Sequence, residues 1–268
     1  MHRERDDYTS ANRQAWNASA ELHRKGQDWS RLVEGFGKPG FSCLDAVEVA
    51  ALEELGVAGR DVVQICCNNA RELLSVRNMG AARCVGFDQA QAFLEQGREL
   101  AALAGQDIEL IESDIYRIGP EHDGAFDLAM ITIGVFGWMP DLAAFMALPA
   151  RLLKPGGRLF IHEEHPVMNM FDPEAERPLE PSIDYFRKTP LREEGAIVYD
   201  GSATLQDDPM THWWFVHTLA DVITAALDAG FTLERYREFP NNISTVEFDR
   251  YQNRETTMPM SYTMVLRR

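Results

Sequence analysis

The stretch FIHEEHP at 160–166 sets two carboxylates between two histidines at the end of an apolar run. Strand alternation puts Glu163 and His165 on one face and His162 and Glu164 on the other. His165 or Glu163 would act as a general base or orient an acceptor, work that needs a side chain within hydrogen-bond reach of the reacting atom. The alternative is that both only cap the strand. A metal is not expected, because histidines at i and i+3 on a strand end are not the helical H-E-x-x-H arrangement that grips zinc. Two more carboxylates close apolar runs, Asp88 in CVGFD and Asp114 in IELIESD. Singly, each reads as a cap for the element that follows; as successive strand ends facing one crevice, they read as a binding site.

The third such end is VVQICCNNARELL at 62–74, with the strand–turn–helix outline of a nucleotide-binding turn and no glycine in it. A dinucleotide needs close backbone approach to its pyrophosphate, for which G-x-G-x-x-G is the signature, so nicotinamide and flavin dinucleotides are disfavoured. A nucleoside cofactor without phosphate demands less. Asparagine tolerates left-handed backbone angles, so Asn68 and Asn69 would make the bend, and Asn69 would cap the next helix. Aromatic residues form a further group: Trp16 and His23 near the start, Trp138 after an apolar run, and HWWFVH at 212–217 with Trp214. They would line an apolar or aromatic acceptor site, or be core and subunit-contact residues.

The elements that must position these groups alternate from residue 61. The runs DVVQICC, RCVGFD, IELIESD, FDLAMITIGVF and RLFIHEE read as strands, separated by helical segments at ARELLSVRNMG, AQAFLEQGRELAALAG and DLAAFMALPARLL. Short apolar strands between helices give parallel βαβ units and a doubly wound sheet. Upstream, 10–26 and 44–56 have helical character, with the loop GFGKPGF between them; regular alternation lapses over 166–211, where YFRKTP and EGAIVYDGSATL read as short extended pieces; HTLADVITAALDAG, FTLERYREF and SYTMVLRR then resume as helix, strand and strand. The expected organisation is a helical N-terminal cap at 1–56, a Rossmann-like core at 57–165, an inserted lid at 166–211 and the rest of the core sheet at 212–268.

With 42 acidic against 26 basic residues and a net charge of −16, the chain is not drawn to phosphate backbones or anionic membranes. No secretory signal is expected from the charged start, and the longest apolar stretch is too short to span a bilayer. A cytoplasmic, soluble protein is expected. Its partner would be a small-molecule acceptor, with no nucleic acid and no membrane; a homodimer or higher homo-oligomer stays open. The cysteines Cys43, Cys66, Cys67 and Cys84 lack C-x-x-C spacing and read as free thiols.

Over 55–166, and more loosely in the C-terminal helix and strands, the chain resembles the class I S-adenosylmethionine-dependent methyltransferases. The resemblance rests on VVQICCNNARELL, GFDQAQAFLEQGRELA, IESDIY and FDLAMITIGVFGWMPDLAAFMALPARLLKPGGRLFIHEEHP. It implies a mostly parallel seven-stranded α/β sheet with an antiparallel last strand, S-adenosylmethionine as cofactor, and methyl transfer by in-line displacement at a sulfonium methyl. Carried over by position, Gln64, Cys66, Asn68 and Asn69 surround the methionine moiety, Asp88 holds the ribose, and Gln89 lies beside the adenine. Asp114 and Ile115 hold the adenine edge, Ile133 lies under the sulfonium, and Tyr8 closes the cofactor. Departures are Gln64, where the family usually has an acidic residue, and the missing glycines at Cys66, Asn68 and Ala70. They leave a second reading, a non-catalytic S-adenosylmethionine-binding regulator or partner subunit.

Overall fold

The computed structural model describes residues 2–198 and 210–268. In chain order it contains α1 (His2–Lys25), α2 (Gln27–Phe36), α3 (Ala46–Leu55), β1 (Asp61–Ile65), α4 (Arg71–Asn78), β2 (Arg83–Asp88), α5 (Gln91–Ala104), β3 (Glu109–Glu112), β4 (Phe126–Thr132), α6 (Leu142–Leu152) and β5 (Leu153–Glu164). β6 (Leu191–Glu194), β7 (Thr211–Trp214), α7 (Leu219–Asp228), β8 (Thr232–Phe239) and β9 (Ser261–Arg267) follow. Seven strands form one sheet in the order β3-β2-β1-β4-β5-β9-β8, mostly parallel with the last strand antiparallel, which is the fold class the alternation implies.

Burial follows the place of each strand. Val62, Val63, Gln64 and Ile65 of central β1 are all buried, as both faces of a parallel strand must be, whereas edge strands β3 and β8 are largely exposed. β1 pairs in parallel with β2 from Asp61↔Arg83 to Ile65↔Phe87, and with β4. This register brings the ends of β1 and β2 level, so the segment after Ile65 and the carboxylate of Asp88 meet.

The described chain divides into two compact units. One contains Ser19–Ile131, Leu148–Phe160 and Arg267–Arg268; the other contains Met1–Ala18, Thr132–Ala147 and Ile161–Leu266. In the former, Trp29, Leu32 and Phe36 of α2 pack with Leu74, Leu100 and Ala101. The sequence reading left α2 out, although Trp29, Leu32, Val33 and Phe36 recur at i, i+3, i+4 and i+7, the spacing of one helix face. α3 opens on a capping box between Asp45 and Glu48 and stops at left-handed Gly56.

In the other unit, β6 and β7 form a two-stranded antiparallel sheet. Of the segment EGAIVYDGSATL, positions 199–205 lie outside the described residues. YFRKTP forms turns instead of an extended piece, and β6 begins just after it. The open side of β7 is met by a side chain: Asn12 Nδ2 donates to the carbonyl of Trp213 at 3.0 Å, and the Trp213 amide donates to Asn12 Oδ1 at 2.7 Å. A carboxamide copies a peptide group, so buried Asn12 completes the strand at that residue. Asn12→Ala would strand both backbone groups; we expect urea unfolding to show a loss of about 2–3 kcal/mol, and unchanged stability would refute the pairing.

Candidate functional site

The turn after β1 has the backbone of a glycine loop without the glycines. Cys66, Asn68 and Ala70 take φ of 58°, 50° and 56°, alternate residues all in the left-handed region. The Cys67 amide continues the β1–β2 ladder by donating to Phe87 O at 3.0 Å, and the Ala70 amide turns back to Cys67 O at 2.7 Å. α4 then starts from Ala70, which caps it with no side-chain bond. The expectation that Asn69 caps this helix is therefore corrected, whereas Asn68 and Asn69 both lie in the bend as expected. Asn68 is the asparagine that turns left-handed, and its Oδ1 takes the Asn69 amide at 2.9 Å.

Asp88 fastens the turn. Its Oδ2 accepts the Asn68 amide at 2.7 Å and its Oδ1 the Ala90 amide at 2.8 Å. Burial pushes this carboxyl upward in pKa, and the amides of Ala90, Asn68 and Gln89 pull against that. Beneath the turn the packing is tight: a Cβ on Gly86 would sit 2.7 Å from Cys67 Sγ, and one on Gly97 would sit 3.0 Å from the Asn69 carbonyl. Gln64, buried on β1, donates through Nε2 to Glu72 Oε2 at 3.4 Å. Asp114 accepts the Tyr116 amide at 3.0 Å and caps a 3-10 turn that begins at buried Ile115. Gln89 is half-buried beside Asp88. The four cysteines are free thiols, with Cys67 and Cys84 buried and Cys43 and Cys66 only partly so.

A phosphate-free nucleoside cofactor fits this group. Asn69 Oδ1 is buried without a partner, an acceptor where an ammonium would bind, and Asp114 and Gln89 add polar groups beside apolar Ile115.

Apart from His23, the remaining candidates lie in the other unit. Glu163 is buried with all its lone pairs engaged: Oε2 accepts the amides of Gly134 (2.5 Å) and Glu164 (2.9 Å), and Oε1 those of Val135 (2.6 Å) and Phe136 (3.1 Å). It fixes the loop after β4, where Ile133 is exposed and Gly134 has φ 82°. His165 Nδ1 accepts the Val167 amide at 3.2 Å, so its proton sits on Nε2, 3.2 Å from Glu238 Oε1. Burial lowers its pKa despite that carboxylate. Glu164 is the carboxylate left with room: burial, together with the neighbouring charge of Glu163, pushes it up to about 7, against the hydrogen bond from the Ser244 side chain.

Of the aromatic residues, Trp138 stands edge-on to Trp16 (5.2 Å between centroids) and to Trp214 (5.0 Å). Trp214 lies so close over Gly137 that a Cβ there would come within 2.2 Å of its ring, and its Nε1 donates to Asn169 Oδ1 at 2.9 Å. Tyr8 packs edge-on to Trp213 and Phe215. His23 packs on Phe93. A small pocket that opens to solvent is lined among others by Phe136, Trp214, Phe215, Tyr262, Glu163 and Glu164. Phe136 and Tyr262 were missing from the sequence reading; alternation in SYTMVLRR shows that Tyr262 points to one face of a strand but not what that face meets.

Residues 63–161 match a family described as a methyltransferase domain. No curated protein matches the chain. Among solved structures, an S-adenosylmethionine-dependent methyltransferase from Mesorhizobium loti is 20% identical over 83% of this chain and 98% of its own, with a TM-score of 0.55. A geranyl diphosphate C-methyltransferase from Streptomyces coelicolor A3(2) is 12% identical over 83% and 79%, at 0.54. The [4+2]-cyclase SpnF is 14% identical over 83% and 80%, at 0.56.

Two outcomes test this geometry. A side chain at left-handed φ costs about 1–2 kcal/mol that glycine does not. Cys66→Gly should therefore raise stability by about 1 kcal/mol and Cys66→Val lower it by at least as much; a valine variant as stable as the parent would contradict the turn. For Glu164, the native pKa lies above the ordinary carboxylate range of about 4.3. Its contribution to stability is thus intact below that range and lost as pH rises through about 7. The stability difference between the parent and Glu164→Gln, from urea melts at pH 5 to 8, should shift against the parent by about 2 kcal/mol; a difference flat with pH would disprove the raised carboxyl.

Proposed function

We propose that the chain, whose residues 63–161 match a methyltransferase domain, is a class I S-adenosylmethionine-dependent methyltransferase that transfers the cofactor's methyl group to a small-molecule acceptor. The observation that carries this reading is the turn at 66–70, which keeps three left-handed residues at alternate positions although none is glycine. Tertiary bonds hold that backbone in place, and close approach of a ligand to main-chain atoms is a use for it.

In this reading the second carboxylate-to-amide clasp has a purpose. Asp88 holds the turn open toward the ribose and keeps its remaining lone pairs for the hydroxyls, while Asn69 Oδ1 receives the methionine ammonium. Glu72, which accepts from Gln64, brings a carboxyl group beside position 64, where the family usually has an acidic residue. Cys66 and Asn68 border the methionine chain; Gln89, Asp114 and Ile115 hold the adenine. S-adenosylmethionine supplies an electrophilic methyl on sulfur, so the protein's own task is to hold an acceptor atom in line and exclude water.

Ile133, Trp138, Trp214, Trp16 and Tyr8 are assigned to the acceptor side, where apolar walls suit a metabolite better than a macromolecular surface. Glu163 and His165 act as positioning residues, since each spends its polar atoms on the backbone or on Glu238. No described helix is long and apolar enough to cross a membrane. A second reading, a non-catalytic cofactor-binding protein, is favoured by one observation: both Asp88 oxygens already accept backbone amides.

Calorimetry with S-adenosylhomocysteine separates cofactor binding from everything else. The parent should bind it, and Asp88→Ala should lose at least tenfold in affinity through a loosened turn. No binding by the parent would end both readings. Transfer of label from methyl-labelled cofactor into a metabolite pool then divides them, with turnover supporting the enzyme and binding without turnover supporting the regulator.

A further inference from the structure

Beyond that reading, and resting on it, the pocket that Glu164 and Tyr262 share has a chemistry of its own. Tyr262 is fully buried on β9, yet its hydroxyl has no hydrogen-bond partner among the described residues, and it lines the pocket. A buried hydroxyl left unpaired is costly, so it points to a polar group that arrives with a ligand. The carboxylate beside it is equally specific. Glu163 accepts four amides, whereas Glu164 accepts from the Ser244 side chain and opens on the same pocket.

Among the described residues no lysine or arginine lines this space, and burial holds His217, which does, toward the neutral form while its Nε2 bonds the Met139 carbonyl. Its other walls include Asn169, Val222 and the rings of Phe136, Trp214 and Phe215, and aromatic faces favour a cation. An anionic acceptor would meet the Glu164 carboxylate with no cationic side chain among the described lining residues.

We propose that this pocket binds the amino group of a small, otherwise apolar acceptor, with Glu164 as its counter-ion and the Tyr262 hydroxyl as a second hydrogen-bond partner. Aromatic walls take the apolar body. Glu164 would take the proton of an ammonium bound there and so free the lone pair of its nitrogen. Glu164 is the residue that would touch the amino group.

The test uses benzylamine and its neutral isostere benzyl alcohol, titrated calorimetrically into the full chain with and without S-adenosylhomocysteine. The parent should bind the amine at least tenfold more tightly than the alcohol. Glu164→Gln should abolish that preference, and Tyr262→Phe should weaken amine binding about fivefold. Both variants should keep the parent's affinity for S-adenosylhomocysteine, which shows that they are folded. Equal binding of amine and alcohol, binding of neither, or an amine preference untouched by Glu164→Gln would overturn the proposal. Failure of the parent to bind S-adenosylhomocysteine would instead strike the methyl-transfer reading, whatever the amine does.

Discussion

The Asp88 carboxylate, reached by the amides of Asn68 and Ala90, is the interaction on which the cofactor turn depends. The left-handed residues Cys66 and Ala70 each cost about 1–2 kcal/mol, which Asn68 largely escapes, and the turn would relax unless something held it. A charge-assisted bond from a buried carboxylate to a backbone amide is about twice as strong as a neutral one. The ladder bond from Cys67 to Phe87 and the bond from Ala70 to Cys67 complete the restraint. Glycine would make such a turn without strain; here tertiary bonds impose what residue type does not favour.

The same device recurs at Glu163, where one buried carboxylate collects four amides and sets the loop at 134–136. In both cases an acid near the end of one strand collects amides from the bend that follows another strand, the turn after β1 for Asp88 and the loop after β4 for Glu163. Residues that a chemist would first choose as reactive are thereby spent on architecture. Fold-level likeness cannot make this distinction, since a [4+2]-cyclase shares the architecture with methyltransferases.

Much of the fold was legible because parallel strands buried on both faces leave continuous apolar runs, as in VVQI and FDLAMIT, and their order with helices fixes a doubly wound sheet. Helix α2 was legible too, in the spacing of Trp29, Leu32 and Phe36, but the glycines and proline that follow it drew attention to the loop. The site was legible at Asp88 and in the shape of the turn. It was not legible at Asn12, whose carboxamide completes a strand 201 residues away, nor at Tyr262, whose unpaired hydroxyl is a property of the cavity around it. Long-range pairing and vacancy have no local pattern to leave.

Alternation along FIHEEHP explains how neighbours of identical type come to differ. Glu163 turns to the side where the loop after β4 offers amides, and these oppose the upward push of burial on its pKa; Glu164 accepts from Ser244, and burial first, with the neighbouring Glu163 adding to it, pushes it up to about 7. Two adjacent carboxylates cannot both be ionised cheaply in a low-dielectric setting. A cationic ligand reverses that balance by bringing the charge that the protein itself leaves out.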